Sequence, residues 1–103
     1  MADKDDSGPL FLVVHIRPRL DKLAEAETQL KSMIANNLTE DGCVSMHLVQ
    51  SEDDEPNTWV MLEHFTSRAA WDLHMESDHN KQGNELLEPL LREPSTLGLY
   101  REV

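Results

Sequence analysis

The order of patterns along the chain predicts an α+β fold of the split βαβ kind: strand, helix, strand, strand, helix, strand. Such a chain forms a four-stranded antiparallel sheet with both main helices on one face. Three observations carry that prediction. Two short runs, LFLVVHIR at 10–17 and WVMLEHF at 59–65, are almost wholly apolar and read as strands covered on both faces. A stretch with apolar residues at three- and four-residue steps follows each of them. Between CVSMHLVQ and WVMLEHF lies the acidic, turn-rich segment SEDDEPNT, which suits a hairpin connection.

Residues 1–9, MADKDDSGP, are polar, end in Gly8 and Pro9, and read as a tail outside a single domain of residues 10–103. The first strand, Leu10 to Arg17, has His15 as its interior polar interruption. Asp21 is placed to cap a helix from about Lys22 to Asn37, with Leu23, Ala26, Leu30, Met33 and Ile34 on its apolar side. Gly42, just before Cys43, suits a positive φ that ends the connection. In the second strand, residues 43–50, strict alternation places Cys43, Ser45, His47 and Val49 on one face. The acids at 52–55 lack the spaced ligands and turn glycine of a calcium loop and read as solvated.

The third strand, Trp59 to Phe65, runs almost directly into a helix that begins near Arg68 after hydroxyl caps at Thr66 and Ser67. Ser77 and Asp78 can recap a continuation to about Leu87. Pro89 and Pro94 then force irregular chain, and TLGLYREV, residues 96–103, alternates well enough for the fourth strand. Helices cover only one face of such a sheet, yet the first and third strands are apolar on both. The second face therefore calls for a cover, and a twofold partner packing sheet on sheet gives a homodimer.

At 103 residues there is room for one modest core. Twenty acids against nine bases, a formal charge of −11, argue against nucleic acid or an anionic membrane as partner. The lone cysteine, Cys43, excludes an internal disulfide. A charged N-terminus without an apolar run lacks the features of a signal peptide, and no apolar run approaches a membrane span, so the expected location is cytoplasmic.

From Glu63 the sequence carries a series formed by Phe65, Ser67, Ala69, Ala70, His74, Ser77 and His79. It resembles the antibiotic biosynthesis monooxygenase (ABM) family in its glutamate, an aromatic two later, an alanine-rich helix start, and histidines eleven and sixteen residues after the glutamate. Gly42 and Cys43, the Leu87, Pro89, Leu90 and Leu91 group, and a closing strand with Tyr100 and Val103 extend the resemblance over residues 10–103. Phe65 departs from the commoner tryptophan, and Leu20, Asp21 and Lys22 replace the usual Pro-Gly-Lys. The resemblance implies ferredoxin-like βαββαβ subunits paired as a dimeric α+β barrel. It also implies one of several activities: cofactor-independent quinol oxidation, haem degradation, isomerisation of a small molecule, or metabolite binding without catalysis.

A monooxygenase without flavin or metal needs a substrate that itself donates electrons to O2, such as a hydroquinone or related small aromatic. Its protein must exclude water and remove a phenolic proton, a task suited to a histidine. His74 is the first candidate for that base, with Glu63 as the carboxylate that orients it. The same pair would serve equally to tie the helix to the sheet. Phe65, Trp71, Met61 and Leu90 are candidate walls for a flat ligand, and His15, His47 and His79 are candidate lining residues. On a regular helix His79 lies about 140° around from His74, which favours a role at the helix break. His64 points to the opposite face from Glu63. No metal is expected, because His74 and Asp78 have helical ligand spacing but lack a third ligand. Haem is the rival cofactor, without a histidine assigned as its axial ligand. Cys43 reads as a small buried apolar residue.

Overall fold

The computed structural model describes residues 8–53 and 56–103. Most of the expected tail and two acids of the 51–58 loop, Asp54 and Glu55, lie outside the described residues. In chain order the elements are β1 (Leu10–Ile16), α1 (Leu23–Asn37), β2 (Cys43–Gln50), β3 (Trp59–Phe65), α2 (Arg68–Glu76), α3 (Asp78–Leu87), a single 3-10 turn (Glu88–Leu90) and β4 (Thr96–Tyr100). They form one antiparallel sheet in the order β2-β3-β1-β4, the ferredoxin-like arrangement that the pattern of elements predicts. The last strand stops at Tyr100, three residues short of the alternating pattern.

Register fixes which side chains meet the helices. Leu10 pairs with Phe65, Leu12 with Glu63, Val14 with Met61 and Ile16 with Trp59. These residues share the helix-covered face, and most are deeply buried with Ala26 and Leu30 of α1 and Leu87 of α3. The opposite parity puts Phe11, Val13 and His15 beside His64, Leu62 and Val60 on the other face.

Three local features differ from the sequence expectation. Strict alternation fails at the start of β2, where a bulge between Cys43 and Ser45 shifts the register. Cys43 therefore joins Met46 on the buried side, while Ser45 faces the way of His64. Asp21 does not cap α1. Lys22 occupies that position without a side-chain bond, and Asp21 instead accepts from Arg19 at 3.2 Å. That bond holds the Asp21 carboxyl below its ordinary range.

Gly42 does not adopt a positive φ; among described non-glycine residues Asn57 does, at 64°. Space explains the glycine, since a Cβ there would overlap the Cβ of Ala70 on α2. Gly42→Ala is therefore expected to cost about 1–3 kcal/mol by forcing strand and helix apart, read as a lower urea midpoint with an unchanged slope.

Between α2 and α3 the recapping expected at Ser77 forms. Ser67 caps α2 by accepting from the Ala70 amide at 3.1 Å. Ten residues on, extended Ser77 ends α2 and begins α3. Its hydroxyl donates to the His74 carbonyl at 2.7 Å and accepts from the Asn80 amide at 3.2 Å. The helical path turns there, so the 140° separation of a continuous helix does not apply to His74 and His79. Gly83 of α3 lies against Met33 of α1, and its carbonyl accepts from the Gln29 amide group at 3.1 Å. Among the described residues no helix is long and apolar enough to cross a membrane.

Candidate functional site

Between the helix-covered sheet face and the three helices lies a cavity of about 240 Å³. Leu12, Val14 and Leu97 from the sheet, Leu30 from α1 and Leu87 from α3 give it an apolar wall. Met33, Met46, Met61 and Met75 give it a polarisable one. Trp71 closes one side, with the Arg68 guanidinium 5.1 Å from its ring centre. Asn37, Asn80, Asn84 and Ser95 are the neutral polar lining, Glu63 and His74 the titratable one. No lysine or arginine is among the lining residues. A cavity of about 150 Å³ holds benzene and drug-sized ligands take about 300–1,000 Å³, so this space suits one or two aromatic rings.

Glu63 enters the cavity because it shares strand parity with Trp59, Met61 and Phe65. It has no hydrogen-bond partner among the described residues, and burial pushes its pKa up to about 7. The unfolded chain ionises this group near its ordinary 4.5, whereas the folded chain keeps the proton up to about 7. Within that window the native state binds more protons. Glu63 therefore costs nothing below about pH 4.5, and stability falls as pH rises through about 7. At about 1.4 kcal/mol per unit the loss is on the order of 3 kcal/mol. Glu63→Gln is expected to flatten that part of the profile, measured by urea unfolding at about pH 5 and about pH 8.

The expected Glu63 to His74 pairing does not form. His74 Nδ1 instead meets the carboxylate of Glu40, at 3.0 and 3.2 Å, from the turn between α1 and β2. His79 Nε2 reaches the same carboxylate at 2.6 Å. The two imidazoles stand 6.2 Å apart, and Phe65 packs beneath His74 with its ring centre at 5.2 Å. Glu40 escaped sequence reasoning because it reads as a turn acid, 34 residues from His74.

The other expected residues divide by face. Met61 and Trp71 line the cavity, while fully buried Phe65 supports His74 from below. His79 stands behind His74 rather than among the lining residues, and Leu90 borders a shallow groove against α1. His15 and His47 lie on the opposite face of the sheet, where strand parity and register put them. His64 is there too, stacked on Phe11 at 4.4 Å. Burial, then the charges of Glu40 and Glu63, push the Cys43 thiol up to about 11, so it stays a protonated core residue.

Among the described residues no group of three or more His, Cys, Asp or Glu could hold a metal. In the Glu40 trio both imidazole nitrogens turn onto the carboxylate rather than toward a shared centre. Haem does not fit this cavity either. A macrocycle exceeds its volume, and the propionates would find no lysine or arginine in the lining.

Sheet order and helix placement define a ferredoxin-like α+β protein with a half-open cavity between sheet and helices. Residues 9–86 match the antibiotic biosynthesis monooxygenase family, and the chain belongs to it. It is similar to Rv0793 of Mycobacterium tuberculosis, a protein whose name places it provisionally among monooxygenases. The two are 33% identical over 73 residues, 71% of this chain and 70% of the relative. The Rv0793 structure superposes with a TM-score of 0.85, at 28% identity, over 93% of this chain and 96% of that one. An uncharacterised Synechocystis protein is 24% identical over 95% of the chain, which spans 66% of that relative's length. SnoaB of Streptomyces nogalater, a cofactor-independent oxygenase, shares the fold at a TM-score of 0.83 and 19% identity, with 93% and 94% of the two chains covered.

Proposed function

We propose that the chain is a cofactor-independent monooxygenase that oxidises a small, uncharged hydroquinone or related aromatic with O2. The observation that carries this reading is the cavity itself: apolar, methionine-rich, free of lysine and arginine among its lining residues, and sized for one or two rings beside His74 and Glu63. With Nδ1 held by Glu40, His74 keeps Nε2 for the substrate hydroxyl. Removal of the phenolic proton gives an electron-rich anion able to reduce O2. One oxygen atom enters the ring and the other leaves as water, so hydroquinone and O2 give hydroxyquinone and water. All electrons come from the substrate. Oxygen uptake by metal-stripped protein with a panel of small hydroquinones, well above the autoxidation control, is the expected result. Uptake no faster than the control across the panel overturns it.

One feature favours a second reading. A carboxyl that holds its proton to about pH 7 beside an imidazole is an acid–base pair of the kind an isomerase uses. An isomerase, or a binder of the same metabolite class, consumes no O2, so the same measurement separates the readings.

The working unit in this proposal is a homodimer. The sheet face away from the helices carries Phe11, Val13 and Val60, with Leu62 40%, Val49 41% and Tyr100 55% exposed. That apolar surface, self-complementary about a twofold axis, is what a second copy covers. Sedimentation at micromolar concentration should give a dimer, and Leu62→Asp, which buries an unpaired charge at the contact, a monomer. A wild-type monomer sinks this part of the proposal.

A further inference from the structure

Glu40, His74 and His79 form a graded series from cavity to solvent. Their side chains are 5% exposed at His74, 21% at Glu40 and 33% at His79. Contacts of 3.0 Å and 2.6 Å join them through one carboxylate oxygen, Oε2 of Glu40. Three separate elements supply the three groups, the α1–β2 turn, α2 and α3, and the helix break at Ser77 brings the histidines to the same acid. Neither Glu63 nor Cys43 is hydrogen-bonded into this series, although both lie near it.

We infer that Glu40 and His79 are a proton relay that carries protons between His74, inside the cavity, and bulk water. The inference rests on the proposed chemistry only for the origin of the proton, a ligand hydroxyl. His74 accepts that proton at Nε2 and passes its Nδ1 proton to the Glu40 carboxylate. Glu40 hands a proton to His79 Nε2, and His79 releases its Nδ1 proton to water. This outward pass restores the charge of Glu40 and His74 but leaves each imidazole in its other tautomer. The inward pass resets them: water protonates His79 Nδ1, the Nε2 proton returns through Glu40 to His74 Nδ1, and the His74 Nε2 proton goes to the bound product, so a full cycle releases no net proton. A buried imidazole otherwise has no fast exit for the proton that it takes. Glu40 and His79 act through His74 and are positioning and relay residues, not substrate contacts.

A purely structural clasp built from the same three groups would behave in the opposite way, and that separates the two roles. Water-exchange NMR on the ligand-free protein reads how fast the His74 ring N–H trades its proton with solvent. Glu40→Gln keeps the size and hydrogen-bonding reach of the side chain but cannot take up the proton. It is expected to slow that exchange by about tenfold or more, sharpening the ring N–H signal. His79→Gln leaves the Glu40 to His74 contact in place and should slow exchange in the same direction. Unchanged or faster exchange in both variants overturns the relay, because a loosened clasp exposes the ring. The readout needs neither a hydroquinone nor O2. Slowed exchange without oxygen uptake therefore keeps the relay and discards the monooxygenase, while uptake with unslowed exchange does the reverse.

Discussion

His74→Gln is expected to lower oxygen consumption with a small hydroquinone by about a hundredfold to ten-thousandfold, the range for loss of a positioned general base. The effect falls on kcat more than on KM, because the leucine and methionine walls that bind the ring are untouched. Glutamine roughly keeps the volume above Phe65 and can still bond Glu40, so the far-UV spectrum and melting temperature should stay near those of the wild type. Glu63→Gln is the informative contrast. A group that holds its proton to about pH 7 contributes as an acid or a hydrogen-bond donor. Its amide variant should keep more activity below pH 7 than His74→Gln does. Equal oxygen uptake by wild type and His74→Gln, with both folded, would remove the imidazole from the chemistry.

Phe65→Ala carries the largest expected loss of stability, about 3–5 kcal/mol. Its ring is fully buried where β3 meets α2, and its backbone neighbours across the sheet are Leu10 on one side and Cys43 on the other. His74 packs against the ring and leaves little room for collapse. For a domain of about this size each kcal/mol moves the melting temperature by about 4–8 °C, so a fall of more than about 12 °C is expected in a thermal scan. Phe65→Leu retains most of the volume and should cost far less. If the alanine variant melted within a few degrees of the wild type, the ring would not be the keystone between sheet and helix that its burial implies.

How much of this was legible in the chain depended on whether a feature was local. The apolar runs at 10–17 and 59–65, the three- and four-residue spacing in α1, and the hydroxyls of Ser67 and Ser77 each act within a few residues, and the elements formed where those signals lie. Family membership was legible from the Glu63 to His79 series, and residues 9–86 match that family. The face of His64 follows from counting by twos along β3, whereas His15, expected to line the cavity, lies on the other face because the pairing of β1 with β3 sets its parity. Counting by twos failed at β2 because a bulge leaves no clear mark in CVSMHLVQ. Glu40 was invisible for a different reason. A turn acid becomes a partner of His74 only through the docking of α2 near the α1–β2 turn, a distance no periodicity encodes. The unpaired state of the Glu63 carboxyl was hidden likewise, since a sequence shows that a carboxylate is present but not that it is buried without a hydrogen-bond partner among the described residues.

Ser77 gives the site an uneven tolerance to change. One residue serves both helices, and the chain leaves it in a new direction with the angular phase of α3 already set. Replacing it with threonine, aspartate or asparagine would preserve a capping oxygen. Adding or deleting one residue there would turn every α3 side chain by about 100°. Gly83 would leave Met33, Asn80 would leave the cavity, and His79 would swing off its carboxylate together with them. This junction should therefore accept substitution by other capping residues and length changes hardly at all.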